Sequence, residues 1–287
     1  MSERLPVHKT YKLYLGGAFP RSESGRVYPV SGADGTFLAN AAAGSRKDVR
    51  DAVVAARAAF GRWSGATAYN RGQVLYRVAE LLEGRGAQFA SEVAAAEGLS
   101  SAEARAVVDA AIDRWVWYAG WTDKVAQVLG GSNPVAGPYL NLSTPEPTGV
   151  VGVLAPASSS LLGLVSVLAP VLATGNTAVV LASETRPLPA VTLTEVLATS
   201  DVPGGVVNVI TGRLAETAPR LASHADVNAI DLTGAPAELA TELEVAAADN
   251  LKRVLRPAGE PDWTAEPGVE RLRAFLEIKT VWHPIGV

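Results

Sequence analysis

Four short, largely apolar stretches decide the fold of this chain. They are Val150–Leu154 (VVGVL), Thr177–Leu181 (TAVVL), Val206–Ile210 (VVNVI) and Val227–Leu232 (VNAIDL). A strand that is apolar on both faces is typical of a parallel sheet covered by helices on each side. A segment of helical length follows each stretch after a short loop, at residues 161–174, 187–199, 214–223 and 237–249. This alternation predicts an α/β fold built on a doubly wound parallel sheet.

The loops after these strands are the first candidates for a binding site. A doubly wound sheet binds its ligands beyond the carboxyl ends of its strands, at the point where the strand order reverses. We therefore expect a site among the four loops that leave the strands, at residues 155–160, 182–186, 211–213 and 233–236.

The region before the sheet is predicted to be largely helical. Ser45, followed three residues later by Asp48, is typical of a capping box at the start of a first helix. Asn70 is predicted to cap a second helix, and Ser101–Val128 is predicted to be one long helix. The long helix carries four aromatic residues, which favour packing in the core over a ligand platform: Trp115, Trp117, Tyr118 and Trp121.

Two further segments have the pattern of strands outside the main sheet. Leu140–Pro147 follows a linker at residues 130–138, and its two prolines indicate an edge or arm strand rather than a central one. Residues 258–268 form a second linker, rich in Pro, Gly and acidic residues, and residues 269–276 are predicted to be a short helix. Lys279–Pro284 is predicted to be a final strand.

Composition and charge exclude several classes of function. The chain has 287 residues, with 25 Lys and Arg against 29 Asp and Glu, and its net charge of −4 argues against a nucleic-acid partner. It has no cysteine, which removes thiolate nucleophiles, disulfides and thiolate metal sites. Its three histidines are too far apart in sequence for a histidine metal site, so no metal is expected.

The apolar segments and the first residues predict the cellular location. The first twelve residues are charged and contain no apolar run, which is not the pattern of a secretory signal peptide. The most apolar stretch, Leu161–Ala173, is far shorter than the ~20 residues that cross a bilayer. We therefore expect a cytoplasmic protein with no membrane partner.

Longer motifs extend over nearly the whole chain. They are LYLGGAF (13–19), DVRDAVVAARAAFGRWS (48–64), PTGVVGVLAP (147–156), LAPVLATGNTAVVLASET (168–185), DVPGGVVNVITG (201–212), HADVNAIDLTG (224–234) and LEIKTVWHPIG (276–286). Together they resemble the motifs of the aldehyde dehydrogenase superfamily. The resemblance implies a Rossmann-type nucleotide-binding core and, at the tail, the strand that the family uses to form oligomers.

The resemblance also shows which catalytic groups of the family are replaced. The family has Pro-Trp-Asn after the first core strand, and its Asn side chain helps to hold the oxyanion; this chain has Pro156-Ala157-Ser158. The family's general base follows the motif matched here by Asn250–Val254, and Pro257 stands in its place. The family's nucleophile is a cysteine of its catalytic domain, and this chain has none. The resemblance therefore implies that no catalytic residue remains.

The cofactor-binding motifs of the family are altered as well. The Lys-Pro-Ser-Glu motif that holds the adenosine ribose is Leu181-Ala182-Ser183-Glu184 here, so its cation is lost. The Thr-Gly-Ser motif that meets the pyrophosphate at a helix N-terminus is Thr233-Gly234-Ala235, so its serine hydroxyl is lost. We expect no cofactor, or NAD(P) held weakly. By resemblance, the residues left to contact it are Pro156, Ser158, Ser183, Glu184, Thr233 and Gly234.

Three features leave alternatives open. Glu184 either contacts a ribose or caps the helix that follows. His224, in the sequence Ser-His-Ala-Asp, is either a helix-terminal residue or a base, and its position at a helix end favours the first role. The serines 158–160 lie where a ligand would lie, but they are not part of a G-x-S-x-G nucleophile motif.

The resemblance divides the chain into three parts. Residues 1–138 and 148–257 are predicted to form a nucleotide-binding-like Rossmann-type domain. Residues 139–147 and 277–287 are predicted to form an oligomerisation arm. Residues 258–276 are predicted to be a linker and short helix that replace the family's catalytic domain.

Two classes of function follow from these observations. The first is a non-catalytic subunit, a pseudoenzyme with a structural or regulatory role, which associates with itself or with a full-length aldehyde dehydrogenase. In this hypothesis the chain resembles the degenerate second unit of the class-16 aldehyde dehydrogenases. The alternative is an NAD(P)-dependent oxidoreductase that acts on aldehydes, or a residual nucleotide-binding module. The replaced catalytic and cofactor residues favour the first class.

Overall fold

The computed structural model of the chain describes residue 5 and residues 7–286. Residues 1–4 and 6 of the predicted core domain, and residue 287 of the predicted arm, lie outside the described residues. The strands are β1 (Thr10–Tyr11), β2 (Val27–Ser31), β3 (Phe37–Ala42), β4 (Gly131–Asn133), β5 (Tyr139–Pro147), β6 (Val150–Leu154), β7 (Thr177–Leu181), β8 (Val207–Ile210), β9 (Ala229–Asp231), β10 (Arg253–Leu255) and β11 (Leu276–Pro284). The helices are α1 (Arg46–Ser64), α2 (Ala68–Gly84), α3 (Gly86–Glu97), α4 (Ser101–Trp121), α5 (Val125–Leu129), α6 (Leu162–Ala173), α7 (Leu188–Thr199), α8 (Leu214–Ala222), α9 (Ala237–Ala248) and α10 (Glu270–Ala274).

The main sheet has five parallel strands in the order β10-β9-β6-β7-β8. In chain order the sheet begins with β6 and continues outward through β7 and β8. The chain then returns, and β9 pairs with the other side of β6. The predicted doubly wound parallel sheet is therefore confirmed, and the order reverses between β6 and β9. The fifth strand, β10, was not predicted, because its three residues are mostly exposed and carry no apolar run.

Burial on both faces of the sheet explains the apolar strand sequences. Val151 and Val153 of β6 pack in the core that contains α2, α4 and α6. Val150 and Leu154 of the same strand pack in a second core with α1, α8 and α9. Successive residues of a strand point to opposite faces, so both sets must be apolar when helices cover both sides. These two helical layers hold the carboxyl ends of the strands in place.

The helical region departs from the sequence prediction in three places. The helix α3 was not predicted. The α1 capping box is present, because the Ser45 side chain accepts from the Asp48 amide and the Asp48 carboxylate accepts from the Ser45 amide. The prediction that Asn70 caps the second helix was wrong. Thr67 is the cap, and its Oγ1 accepts from the Asn70 amide at 3.2 Å.

The predicted helix over residues 101–128 is two helices, α4 and α5. The break comes where the Thr122 hydroxyl donates to the Ala119 carbonyl at 2.9 Å, competing with the helical hydrogen bonds. Of the four aromatic residues of α4, Trp115 and Tyr118 are buried in the core. Trp117 and Trp121 are half-buried and pack against it.

A second sheet, with antiparallel strand order β11-β5-β4, stands apart from the main one. Leu276 pairs with Pro147 and Pro284 with Tyr139, as expected for an arm made from residues 139–147 and the tail. The predicted linker at 130–138 contributes β4, so β5 is the central strand of this sheet and not an edge. Its prolines are tolerated because β4 pairs only with residues 141–143 and leaves Pro145 and Pro147 with a strand on one side.

Asn176 joins the base of the arm sheet to the main sheet. This fully buried side chain accepts from the Gly149 amide at 2.8 Å and donates to the Phe275 carbonyl at 2.9 Å. Gly149 leads into β6 and Phe275 leads into β11. One amide group therefore fixes the start of both strands, because it offers an acceptor and a donor at once.

Replacing Asn176 by Asp tests this link. The substitution keeps the shape but removes the donor to Phe275 and adds a buried charge, so we expect the free energy of unfolding to fall by about 2–4 kcal/mol. Urea unfolding of the variant measures the loss. Gln73→Glu makes the same chemical change at an exposed site on α2 and is expected to be neutral. Equal stabilities of the two variants would contradict the proposed role of Asn176.

Candidate functional site

A cleft of about 640 Å³ lies where the strand order reverses, at the carboxyl ends of β6 and β9. One wall is the loop after β6, and a second is the turn from β9 into α9. Residues 256–260 and Trp263 form the third wall. The cleft brings together four of the six predicted site residues: Pro156, Ser158, Thr233 and Gly234.

The other two predicted site residues, Ser183 and Glu184, follow β7 and do not line this cleft. The Glu184 carboxylate accepts from the amide of Leu214, the first residue of α8, at 3.1 Å. Ser183 Oγ accepts from the Arg186 amide at 3.1 Å. Glu184 therefore caps α8 and not α7, the helix that follows it and that the sequence had offered as the alternative to a ribose contact. A carboxylate at a helix N-terminus also interacts favourably with the helix dipole.

Leu181 stands where the family motif has its ribose-binding lysine. Its side chain is 1% exposed and belongs to the core on the α8 and α9 side of the sheet. A leucine packed in this way has no polar group to offer a ligand. The replacement therefore converts a binding position into a core position.

Residues 257–271, which we call the strap, run along the open side of the cleft and are fastened at three places. Near its start, the Ser158 hydroxyl donates to the Glu260 carboxylate. In its middle, Arg114 of α4 donates from Nη2 to the carbonyls of Trp263 and Ala265 at 2.8 and 2.9 Å. Arg114 is almost fully buried, and this burial lowers its pKa.

The third fastening is a buried ion pair. Arg271, on α10 at the end of the strap, donates from Nη1 to Asp231 Oδ2 at 2.7 Å and from Nη2 to Thr233 Oγ1 at 3.0 Å. The side chain of Asp231 is fully buried and that of Arg271 is 17% exposed. Removing one partner of such a pair leaves an unpaired buried charge, which typically destabilises a protein by about 3–5 kcal/mol.

Sequence analysis missed both Asp231 and Arg271. The available signal was a carboxylate at the end of a buried strand, where an unpaired charge is unfavourable. The partner lies forty residues further along the chain, in a segment with no repeating pattern.

Burial also raises the pKa of the neighbouring Tyr118 to about 12, so its phenol stays protonated beside the two arginines, Arg114 and Arg271.

His224 takes no part in the cleft. It lies at the end of α8, and its Nδ1 accepts from the Asp226 amide at 3.2 Å. This position is at the amino end of β9, on the edge of the sheet opposite the cleft. Burial lowers the pKa of His224, and the hydrogen bond matches the helix-terminal alternative.

The sequence profile of the aldehyde dehydrogenase family matches residues 19–259. The chain belongs to this family. It is 32% identical over 264 residues to a cytosolic 10-formyltetrahydrofolate dehydrogenase of Mus musculus, a match that covers 88% of this chain and 28% of that protein. It is 33% identical over 258 residues to the putative aldehyde dehydrogenase DhaS of Bacillus subtilis, with coverage of 87% and 50%.

Solved structures agree with this assignment. HpcC from Thermus thermophilus superposes with a TM-score of 0.80 at 32% identity, covering 86% of this chain and 47% of that one. An aldehyde dehydrogenase from Bacillus cereus, solved with NAD⁺, gives a TM-score of 0.80 at 27% identity, with coverage of 86% and 50%. The chain thus spans half or less of the length of these relatives.

The cleft residues of this chain do not fit a dinucleotide as they stand. Three arginines lie nearby, and each is already engaged: Arg186 with the carbonyls of Ala157 and Ser158, Arg256 with Glu244, and Arg271 with Asp231. The hydroxyls of Ser158 and Thr233 are also in use, and the strap adds the carboxylate of Glu260. A pyrophosphate requires free donors and positive charge, and the side chains of this cleft offer few of either.

Two features of the cleft concern bond-breaking chemistry. Pro257 lines it where the family motif has the general base. The Ser158–Glu260 pair is a hydroxyl and a carboxylate without a third group that would orient a base. Within residue 5 and residues 7–286, no group of three His, Asp or Glu side chains could hold a metal ion. No helix in that part of the chain is long and apolar enough to cross a membrane.

Gly234 shapes the floor of the cleft, and replacing it by Ala tests this role. A Cβ at this position would lie 2.2 Å from the Ala155 carbonyl oxygen and 2.6 Å from that of Leu154, so the turn would have to move. We expect the free energy of unfolding to fall by about 1–3 kcal/mol in denaturant titrations. Gly259→Ala, at the same cleft but with open space around its Cβ, should leave stability unchanged. A neutral Gly234→Ala would show that the turn does not approach β6 closely.

Proposed function

We propose that this chain is a non-catalytic member of the aldehyde dehydrogenase family with a structural or regulatory role, associating with itself or with a full-length aldehyde dehydrogenase. The observation that carries the proposal is which residues occupy the cleft and how they are bonded. Pro257 occupies the position of the family's base, and the Ser158 hydroxyl is held by Glu260. The protein has no cysteine to act as the nucleophile.

The chemistry of the family explains why these replacements matter together. Oxidation of an aldehyde through a covalent intermediate needs a nucleophile, a base and donors for the oxyanion. Such groups act as a unit, and loss of one already lowers the rate by orders of magnitude. Here all three are replaced, which supports a role other than catalysis.

The alternative is an NAD(P)-dependent oxidoreductase, or a module that still binds a nucleotide. Its support is the names of the relatives, which are dehydrogenases, and the retained parallel sheet. The chain covers half or less of those relatives, however, and the cleft offers a dinucleotide few free donors. We therefore favour the subunit role, and we place the protein in the cytoplasm with no nucleic-acid or membrane partner.

The arm sheet supports association with another chain. Its exposed apolar side chains lie on the two long strands: Tyr139, Leu140 and Leu142 on β5, and Ile278, Val281 and Trp282 on β11. Among the described residues, β11 pairs only with β5, so its outer edge is available to a further strand. Trp282 is 58% exposed and stacks edge-on against Tyr139. Exposed edges and tryptophans are common features of protein interfaces.

We further propose that the chain corresponds to the degenerate second unit of the class-16 type. In this view residues 258–276 replace the family's catalytic domain. The departures at Ser158, Leu181, Ala235 and Pro257 support this origin, because each removes a group of the catalytic or cofactor machinery while the surrounding fold is kept.

The purified protein should show neither aldehyde oxidation nor tight binding of NAD⁺. The lost cation and hydroxyl each weaken binding by about 1–3 kcal/mol, which moves a micromolar site toward the millimolar range. Calorimetric titration with NAD⁺, and an assay of NADH formation with several aldehydes, test the two statements separately. Micromolar affinity would support the nucleotide-binding alternative, and turnover would support the enzyme.

Association through the arm is tested by shortening the chain. Ending it after Leu276 removes most of β11 but keeps the main sheet, so we expect a folded, smaller species that no longer co-purifies with a full-length dehydrogenase. Trp282→Ser is a milder version, and Tyr76→Ser, at an exposed aromatic of α2, is its control. Light scattering and co-purification measure the outcome. An unchanged mass and unchanged partners would rule out the arm as the association element.

A further inference from the structure

We propose that the strap competes with a nucleotide for the cleft at the carboxyl ends of β6 and β9. A nucleotide then gains access only when the strap is released. The inference rests on the proposed weak nucleotide binding and gives it a cause in this chain. The sequence places three hydroxyl residues at the cofactor site, and two of them, Ser158 and Thr233, line the cleft. The strap engages both, through Glu260 at one end and Arg271 at the other.

The strap also bounds the cleft. Residues 257–260 and Trp263 form one of its walls. The Trp263 ring lies under the guanidinium of Arg271, whose carbon is 5.6 Å from the ring centroid, and Arg114 holds the backbone on the other side.

Charge reinforces this competition. The strap carries four carboxylates, Glu260, Asp262, Glu266 and Glu270, and one cation, Arg271. Arg271 is paired with Asp231, and of the four carboxylates Glu260 lines the cleft. A phosphate-bearing ligand is therefore repelled while the strap is in place and is freed from this repulsion when the strap moves away.

The strap is built so that it can be released. Among the described residues, the backbone of 257–268 makes a single hydrogen bond to another backbone group, from the Ala265 amide to the Asp262 carbonyl at 3.3 Å. The buried indole N–H of Trp263 has no hydrogen-bond partner in the part of the chain that the structure describes. A segment with few backbone hydrogen bonds and an unsatisfied donor depends on its side-chain fastenings and opens locally at low free energy.

Glu260→Ala tests the proposal, with Glu266→Ala as its matched control. Both variants remove one carboxylate from the exposed surface of the strap, but only Glu260 is fastened to the cleft. Two readouts are measured on the full chain: hydrogen exchange of residues 257–268 and calorimetric affinity for NAD⁺. We expect Glu260→Ala to exchange at least fivefold faster and to bind NAD⁺ at least fivefold more tightly than the parent. Glu266→Ala should match the parent in both measurements.

The outcomes for the strap can be distinguished from those for the proposed function. Unchanged exchange, or faster exchange without tighter binding, would overturn the proposal, as would equal gains in the two variants, which would point to charge alone. Micromolar binding by the parent would instead contradict the proposed weak cofactor binding. The ratio between Glu260→Ala and the parent would still report on the strap in that case.

Discussion

The buried ion pair between Asp231 and Arg271 is the interaction on which the rest of this structure depends. Asp231 ends β9 at the point where the strand order reverses, and a carboxylate without exposure there needs a cation. Arg271 supplies it from α10, at the far end of an irregular segment. The pair therefore fixes the position of that segment and of α10. The strand β11 follows directly after α10.

Two further polar contacts fix the arm sheet and the strap against the main sheet and α4. Asn176 fixes the Phe275 carbonyl beside the start of β6, so the arm sheet begins at a defined place on the main sheet. Arg114 holds two carbonyls of the strap against α4. In both contacts a side chain donates to backbone carbonyls from a distant part of the chain, and a hydrogen bond of this kind is stronger in the low-dielectric interior than in water.

Contacts of this kind also occupy the cleft residues of this chain. The fold of the chain matches relatives of which it covers half or less. In this chain the cleft is bounded by residues 257–260 and Trp263, whose carbonyl accepts from Arg114. Ser158 and Thr233 remain at the cleft, but their hydroxyls now hold the structure together.

The sequence by itself determined the main sheet, its helices and the place of the cleft. These features rest on local periodicity, because a strand buried on both faces must be apolar at every position, as in Val150–Leu154. Residue identity alone also shows that Pro stands at position 257 and that the chain has no cysteine. Short or polar elements escaped it: β4, β10 and the break after Trp121 carry no pattern of their own. Only the tertiary structure decided that Glu184 caps α8, that Leu181 is core, and that Arg271 reaches Asp231 across forty residues. These outcomes depend on which distant groups meet, and long-range pairing of single charges and hydroxyls leaves no period in a sequence from which it could be predicted.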